Sequence, residues 1–210
     1  MSSRIEIKWS AHASFLDRIG QLLTDEGYDC LYPARRIFSV YYDAFNHPEY
    51  WRGEEGIVPR RKRRIRWYHS SDGFRNEARY EVKISGTDGR LKFTGAPEEI
   101  NYKSPQELLN MRELISSRSI TPQALVSYVR RYFGHPSGRR FTVDHDITYR
   151  KVHRFDLNSL ALGTAVRDEF MALEMKADNT VSNLDFAEAV PMTRVRFSKF
   201  SRSLEALNIV

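Results

Sequence analysis

The chain has one cysteine, Cys30, in 210 residues. A single thiol cannot close an internal disulfide, so the fold must be held by its core, and a reducing compartment is the expected setting. Cys30 itself reads as a small buried hydrophobe. Glycine and proline are sparse, at 11 and 8, which excludes collagen-like and low-complexity chains. No uncharged apolar run approaches the ~18 residues that a membrane-crossing helix needs. The opening MSSRIEIKWS carries Glu6 and lacks the apolar core of a signal peptide, so the expected location is cytoplasmic. The six histidines show no ligand spacing, which leaves zinc unsupported. There is also no Ser–His–Asp or Cys–His pattern of the kind that nucleophilic catalysis uses.

What is present is a globular composition, 41% hydrophobic and 12% aromatic. Such a chain is long enough to bury a sizeable core, and one domain spanning residues 1–210 is expected. Lys and Arg number 33 against 27 Asp and Glu, a net charge of +6. That excess points to an anionic partner without choosing among nucleic acid, phosphate and membrane.

The positions of the charges are more telling. Residues 3–9, SRIEIKW, alternate between Arg4, Glu6 and Lys8 on one face and Ile5, Ile7 and Trp9 on the other, the pattern of a half-buried strand. Residues 12–26 place Phe15, Ile19, Leu22 and Leu23 at helical spacing, with Gly27 as a C-terminal cap. IFSVYYD, residues 37–43, reads as a strand, and residues 46–56 read as a loop. PRRKRRIRWY, residues 59–68, divides with period two. Arg60, Lys62, Arg64 and Arg66 share one face, and Arg61, Arg63, Ile65 and Trp67 share the other.

EARYEVKI, residues 77–84, repeats the device, with Glu81 and Lys83 opposite Tyr80, Val82 and Ile84. The turn SSDG (residues 70–73) between these two stretches predicts a long antiparallel hairpin. LKF then places Lys92 on a short strand, and residues 104–115 open with Ser-Pro as a helix. LVSYVRRYF, RRFTVDHDITYR and EFMALEMKAD read as further strands, and RVRFSKFSRSLEAL as a basic turn opening a short helix.

Strand after strand therefore pairs an apolar face with an Arg- and Lys-rich one. An open sheet can turn such a face to water. A closed antiparallel barrel with helices packed outside and at its ends would instead enclose it. A lumen lined with cations repels itself when empty, and Arg forks with Lys point charges suit the oxygens of an extended polyanion.

The order RIEIKW, YPARRIFSVYYD, RIRWY, E-x-K, SYVR, RFTVD, LEMK and RFSKF resembles the VTC domain. This is the polyphosphate polymerase catalytic domain of the CYTH, or triphosphate tunnel metalloenzyme, superfamily, here in its stand-alone bacterial form. The resemblance runs from Arg4 to Phe200. It implies an α+β fold built on an antiparallel tunnel barrel. The implied activity is metal-dependent transfer of the ATP γ-phosphate onto a growing polyphosphate chain, with manganese as the expected cation and magnesium as the alternative.

By motif, the resemblance assigns Lys8, Arg64, Arg66, Lys83, Arg130, Arg140 and Lys199 to phosphate handling at the reacting centre. Arg60, Lys62, Lys92, Lys176 and Arg196 would bind the chain, and Glu174 would hold the metal. ATP and inorganic polyphosphate, or another triphosphate, are the expected partners. A membrane protein encoded elsewhere can be added to them, and nucleic acid is not expected. Hydrolytic relatives begin with ExExK, whereas this chain has Arg4 in the first acidic position, which favours the polymerase branch over a two-metal hydrolase. A triphosphatase or tripolyphosphatase of the same fold, or a non-catalytic polyphosphate-binding subunit, remain the alternatives.

Glu6, Glu81 and Asp144 are read as ion-pair partners of the basic residues rather than extra ligands. His145 is read as outside the site, because neighbours on a strand point to opposite faces. Tyr41, Tyr42 and Trp67 are read as packing aromatics, with stacking on adenine as the alternative. Ile65 and Trp67 alternate with Arg64 and Arg66 instead of sharing their face, which disfavours a single-stranded nucleic-acid surface. The alternation also makes a test: Arg64→Ala is expected to cost far more activity than Arg61→Ala, and equal losses in a phosphoryl-transfer assay would overturn the division into two faces.

Overall fold

The computed structural model describes residues 4–70, 73–74, 78–87, 89–95, 120–152, 164–178 and 192–210. Its strands are β1 (Arg4–His12), β2 (Asp29–Ala44), β3 (Arg60–Ser70), β4 (Gly73–Phe74), β5 (Arg79–Gly86) and β6 (Gly89–Gly95). They continue with β7 (Ile120–Gly134), β8 (Arg140–Lys151), β9 (Val166–Arg167), β10 (Phe170–Asp178) and β11 (Thr193–Arg194). The helices are α1 (Leu16–Asp25), preceded by a 3₁₀ turn at Ala13–Phe15, then α2 (Pro48–Glu55) and α3 (Lys199–Ala206). Hydrogen-bonded neighbours follow the order β11-β1-β10-β8-β7-β2-β3-β5-β6, with β4 on β3 and β9 on β8. The fold is thus a mostly antiparallel sheet with few helices. Among the described residues the ladder is a path with two ends rather than a closed ring.

The chain divides into two compact units. Unit 1 comprises residues 1–36, 128–147 and 167–197, and unit 2 comprises 37–127, 148–166 and 198–210. In unit 1, β1 lies between β10 and β11, and β10 also pairs with β8, all antiparallel. The apolar face of these strands supplies Trp9, Phe141, Val143, Leu173 and Met175, and α1 adds Ile19 and Leu23. Trp9 and Phe141 stack with ring centroids 5.8 Å apart. Each large side chain buried there stabilises the fold by roughly 1.5–3 kcal/mol. Gly27 ends α1 at φ +79, the left-handed cap that glycine adopts without a Cβ penalty.

In unit 2, β3 pairs antiparallel with β5, and β5 with β6. Ile65 and Trp67 of β3 are buried with Val40, Tyr42, Leu125 and Val152. Trp67 and Tyr42 are therefore core residues, as expected, and Trp67 stacks on Phe38 at 5.6 Å.

Two expectations are corrected. The loop expected over residues 46–56 is in fact α2, followed by Gly56 at φ +76. Its eight residues include Gly53, a weak helix former, so the periodicity is faint. What holds it is a carboxylate from outside the segment. Asp43, at the end of β2, accepts from the backbone N–H groups of Ala44 at 2.8 Å, Tyr50 at 3.1 Å and Glu49 at 3.4 Å. Pro48 opens the helix at a position where a missing N–H costs nothing. Cys30, expected in the core, is exposed, because the first seven residues of β2 present both faces to solvent.

The helix expected over residues 104–115 lies outside the described residues, as does the middle of the SSDG turn. No helix among the described residues is long and apolar enough to cross a membrane. Asp43 is buried, so Asp43→Ala should lower stability by about 2 kcal/mol or more, the upper range for a lost helix cap. Urea unfolding would check this, and a loss below a few tenths would show that α2 does not depend on the cap.

Candidate functional site

In unit 2 the charged face of β3 is positioned by register. Lys62 stands opposite Lys83 on β5, and Lys83 opposite Lys92 on β6. One row further along, Arg64 faces Glu81, and Glu81 faces Thr94. Glu81 is buried and shared. Arg64 donates to it from Nε at 2.6 Å, Lys92 Nζ reaches its other oxygen at 2.7 Å, and Arg66 Nη1 lies 3.9 Å away. Burial alone would raise the Glu81 carboxyl, but Arg64 and Arg66 overcome that and hold it down to about 2.

Behind this row, β2 presents Ser39 and Tyr41. Tyr41 Oη accepts from Arg64 Nη1 at 3.2 Å, and Ser39 Oγ from Arg66 Nε at 3.4 Å. Tyr41 is held against Phe200 of α3, with ring centroids 5.5 Å apart. Burial would raise its phenol, yet Arg64, Arg66 and Lys199 bring it down to about 8. Lys62 donates from Nζ to Ser198 Oγ at 2.7 Å. That same oxygen caps α3 by accepting from the Ser201 N–H at 3.3 Å.

The opposite face of β3 behaves differently. Arg61 and Arg63 lie 3.9 Å from the buried carboxylate of Glu49 on α2, and the Arg61 backbone N–H donates to it at 2.6 Å. Those two arginines face away from Arg64 and Arg66, as the alternation predicts.

Unit 1 carries its own charged face. Lys8 is opposite Glu174, which is opposite Thr142, and Glu6 is opposite Lys176, which is opposite Arg140. Lys8 Nζ lies 3.0 Å from Glu6 and 3.5 Å from Glu174, and Lys176 Nζ lies 2.9 Å from Glu174. Burial would raise the Glu174 carboxyl, but Lys8, Lys176 and Arg130 lower it to about 2. Burial likewise works against the charge on Lys8, and Glu174 and Glu6 more than restore it. Arg130 grips the buried carboxylate of Asp144 with two bonds, Nε at 2.5 Å and Nη2 at 2.7 Å. Arg140 and Arg196 are exposed, and Lys199 is the first residue of α3.

The Asp144-His145-Asp146 triplet does not converge. Asp144 serves Arg130, while Asp146, at φ +49, turns to Arg36 and Arg167. Among the described residues no group of three or more His, Cys, Asp or Glu side chains is placed to hold a metal ion. Glu174 and Glu6 instead flank Lys8 on one strand face. A hard divalent cation commonly takes one or two carboxylates and draws its other ligands from phosphate oxygens and water. The pair fits that donor set.

Two contributors, Ser39 and Ser198, have no role in the sequence analysis, and Tyr41, read there as a packing aromatic, does pack on Phe200 and also accepts from Arg64. Ser39 and Tyr41 were readable, since period two along β2 separates them from Val40 and Tyr42. Ser198 sits inside RFSKF, between residues that were assigned.

A family model described as the VTC domain matches residues 4–208. Comparison with curated proteins finds no match. Among solved structures, the PH1819 protein from Pyrococcus horikoshii OT3 is similar at a TM-score of 0.52 and 13% identity, with 98% of each chain covered. A putative adenylyl cyclase, HpAC1, from Hippeastrum, described as having a dominant triphosphatase activity, is similar at a TM-score of 0.52 and 13% identity, with 96% of each chain covered. At such identities the likeness is one of fold, the fold of the triphosphate tunnel proteins.

The shared carboxylate predicts a pH dependence. The Glu81 carboxyl titrates near 2 in the folded chain against an ordinary 4.5, so its stabilising effect is complete above 4.5 and is lost as pH falls toward 2. Glu81→Gln should therefore be less stable than the parent at neutral pH, with the difference shrinking across that window. A difference that stays constant in unfolding curves taken across that range would refute it.

Proposed function

The chain belongs to the VTC domain family, and from that membership we propose that it is a polyphosphate polymerase, moving the γ-phosphate of ATP onto the end of an inorganic polyphosphate chain. The family match and the tunnel fold support an enzyme acting on polyphosphate or triphosphate. The observation that carries the reading is the row of Lys62, Lys83 and Lys92 on adjacent strands, beside Arg64 and Arg66 sharing the single carboxylate of Glu81. Like charges placed directly opposite each other destabilise a sheet. A ligand with many closely spaced negative charges relieves that repulsion, and a linear chain of phosphates supplies them.

In the proposed reaction a terminal phosphate oxygen of the acceptor chain attacks the γ-phosphorus in line. A new P–O bond forms, the bond from that phosphorus to the β,γ-bridging oxygen breaks, and ADP leaves with the electron pair. The nucleophile is already anionic, so no general base is needed. Arg64, Arg66, Lys83 and Lys92 of unit 2 act by positioning phosphates and by neutralising charge on the equatorial oxygens. Lys199 contributes to the same field, as its effect on Tyr41 indicates.

In unit 1, Lys8, Lys176, Arg130 and Arg140 are assigned the same kind of work. A manganese or magnesium ion would be held by Glu174, with Glu6 beside it, and would supply Lewis-acid neutralisation of phosphate charge. Glu174 stays ionised at neutral pH because Lys8, Lys176 and Arg130 keep its carboxyl low, and a metal ion bound there would take the place of the Lys176 and Lys8 ammonium groups on its oxygens.

The second reading is a triphosphatase, in which water replaces the acceptor chain. The activity described for the Hippeastrum protein of the same fold favours it. The lone Glu6 on β1, tied to Lys8 with Arg4 in the other acidic position, favours the polymerase. Incubation with ATP and manganese separates the two: long-chain polyphosphate is the expected product, and release of phosphate alone would overturn the polymerase reading. Glu174→Gln should reduce metal-dependent turnover by about 10²-fold or more while the circular dichroism spectrum stays that of the parent. Unchanged turnover would refute the metal assignment.

A further inference from the structure

Tyr41 lies on the charged side of β2, with its ring against Phe200 of α3 and 6% of the residue exposed. Phenylalanine would pack on Phe200 equally well, so the hydroxyl calls for another explanation. Its oxygen accepts from Arg64 Nη1 at 3.2 Å. An arginine only donates, whereas a phenol both accepts and donates, so this bond leaves the hydroxyl hydrogen unspent. Among the described residues no acceptor takes that hydrogen. Buried hydroxyl groups are normally satisfied, which makes this one informative.

The groups around the phenol explain why the chain itself offers it no acceptor. Strand β3 contributes Arg64 and Arg66, and α3 contributes Lys199, all of them cations. The nearby carboxylates are engaged elsewhere. Glu81 on β5 is shared by Arg64, Arg66 and Lys92. Asp43, two residues along β2, accepts from backbone N–H groups of α2. A hydrogen-bond donor set among cations is complemented by an anion. Arg64 Nη1 and the Tyr41 hydroxyl lie side by side, so oxygens of a single phosphate can accept from both.

We infer that Tyr41 binds the substrate directly, its hydroxyl donating to a non-bridging oxygen of the phosphate that Arg64 and Arg66 hold. Resting on the phosphate-binding reading given above, this adds a neutral, directional donor to a set of cations. Phe200 fixes the ring from which that donor points. The contact also carries a pH dependence. Burial would raise the phenol, but Arg64, Arg66 and Lys199 bring it down to about 8. A phenolate has no hydrogen to give and repels phosphate. Affinity is therefore full below that titration and falls as pH rises through it, and bound phosphate in turn moves the titration upward.

The test is equilibrium binding of tripolyphosphate in EDTA, where turnover is blocked, to the parent chain and to Tyr41→Phe, which keeps the ring on Phe200. At about pH 7 the variant should bind about tenfold more weakly, the effect of one hydrogen bond to a charged acceptor. Toward about pH 9 that gap should close, because only the parent loses a donor. Titration of the ligand and of lysines is common to both chains and cancels in the ratio. In an Arg64→Ala background, Tyr41→Phe should still weaken binding about threefold or more, which separates a direct contact from support of Arg64.

Equal affinities at neutral pH, a gap that stays constant with pH, or a gap absent from the Arg64→Ala background would each overturn the contact. No binding by the parent, or undiminished binding by Arg64→Ala alone, would instead remove the phosphate-binding reading, so the two failures are distinguishable. If Tyr41→Phe failed to fold, the ultraviolet absorbance of ionised tyrosine in the parent would decide. The group titrating at about 8 should move to higher pH when tripolyphosphate is added, and one that stays in place would overturn the contact.

Discussion

Cations gathered on one face of a sheet repel each other, and among the described residues shared carboxylates hold such cations in place. In unit 2, Glu81 is held by Arg64, Arg66 and Lys92 together. In unit 1, Glu174 is held between Lys8 and Lys176, and Asp144 between the two arms of Arg130. The result is a charged face whose groups these pairs already hold in place. That is the preorganisation a phosphoryl-transfer site requires, since dipoles and charges already in place need no rearrangement when the reaction occurs.

The back of β3 shows the same economy used for structure. Arg61 and Arg63 gather at Glu49, a buried carboxylate on α2, and α2 is in turn fixed to the end of β2 by Asp43. Tyr50 of α2 donates to Glu205 of α3 at 3.1 Å. Alternate residues of one basic run are thereby put to different uses. The odd-numbered arginines anchor a helix, and the even-numbered basic residues lie on the face that the proposed function assigns to phosphate. Six basic side chains in ten residues look like an undivided patch in the sequence, and only the strand period separates them.

That period made much of the fold legible. Period two in RIEIKW, RIRWY and LEMK gave the strands and told the apolar side from the charged one, and the observed registers agree with it. Helix α1 was readable from Ile19 and Leu23, and its end from Gly27. Helix α2 was not, because its stability comes from Asp43, a residue on the preceding strand, and from packing rather than from its own eight residues. Cys30 was misplaced for a related reason. A residue type's usual burial says nothing about a strand end that both faces leave uncovered. The motifs pointed to the basic residues of the candidate site, whereas Tyr41 and Ser198 join them through contacts with residues far away in sequence. Tyr41 meets Arg64 and Phe200, and Ser198 meets Lys62.

The pairing of β1 with β10 has a bearing on how the chain comes to fold. Lys8 finds Glu174 across that ladder, and Trp9 finds Leu173. During synthesis β1 therefore waits, with its apolar face and its edge toward β10 uncovered, until the chain has been extended past Phe170. Contacts so distant in sequence fold slowly, because the loop entropy is lost before the contacts reward it. The charged face of β1 is useful during that wait. Glu6 and Lys8 keep one side of an orphan strand hydrated and poorly suited to pairing with another chain, the role that charged residues play at exposed sheet edges. Charged residues of β1 that the proposed function assigns to phosphate and metal are, on this view, also guards against aggregation before β10 is made.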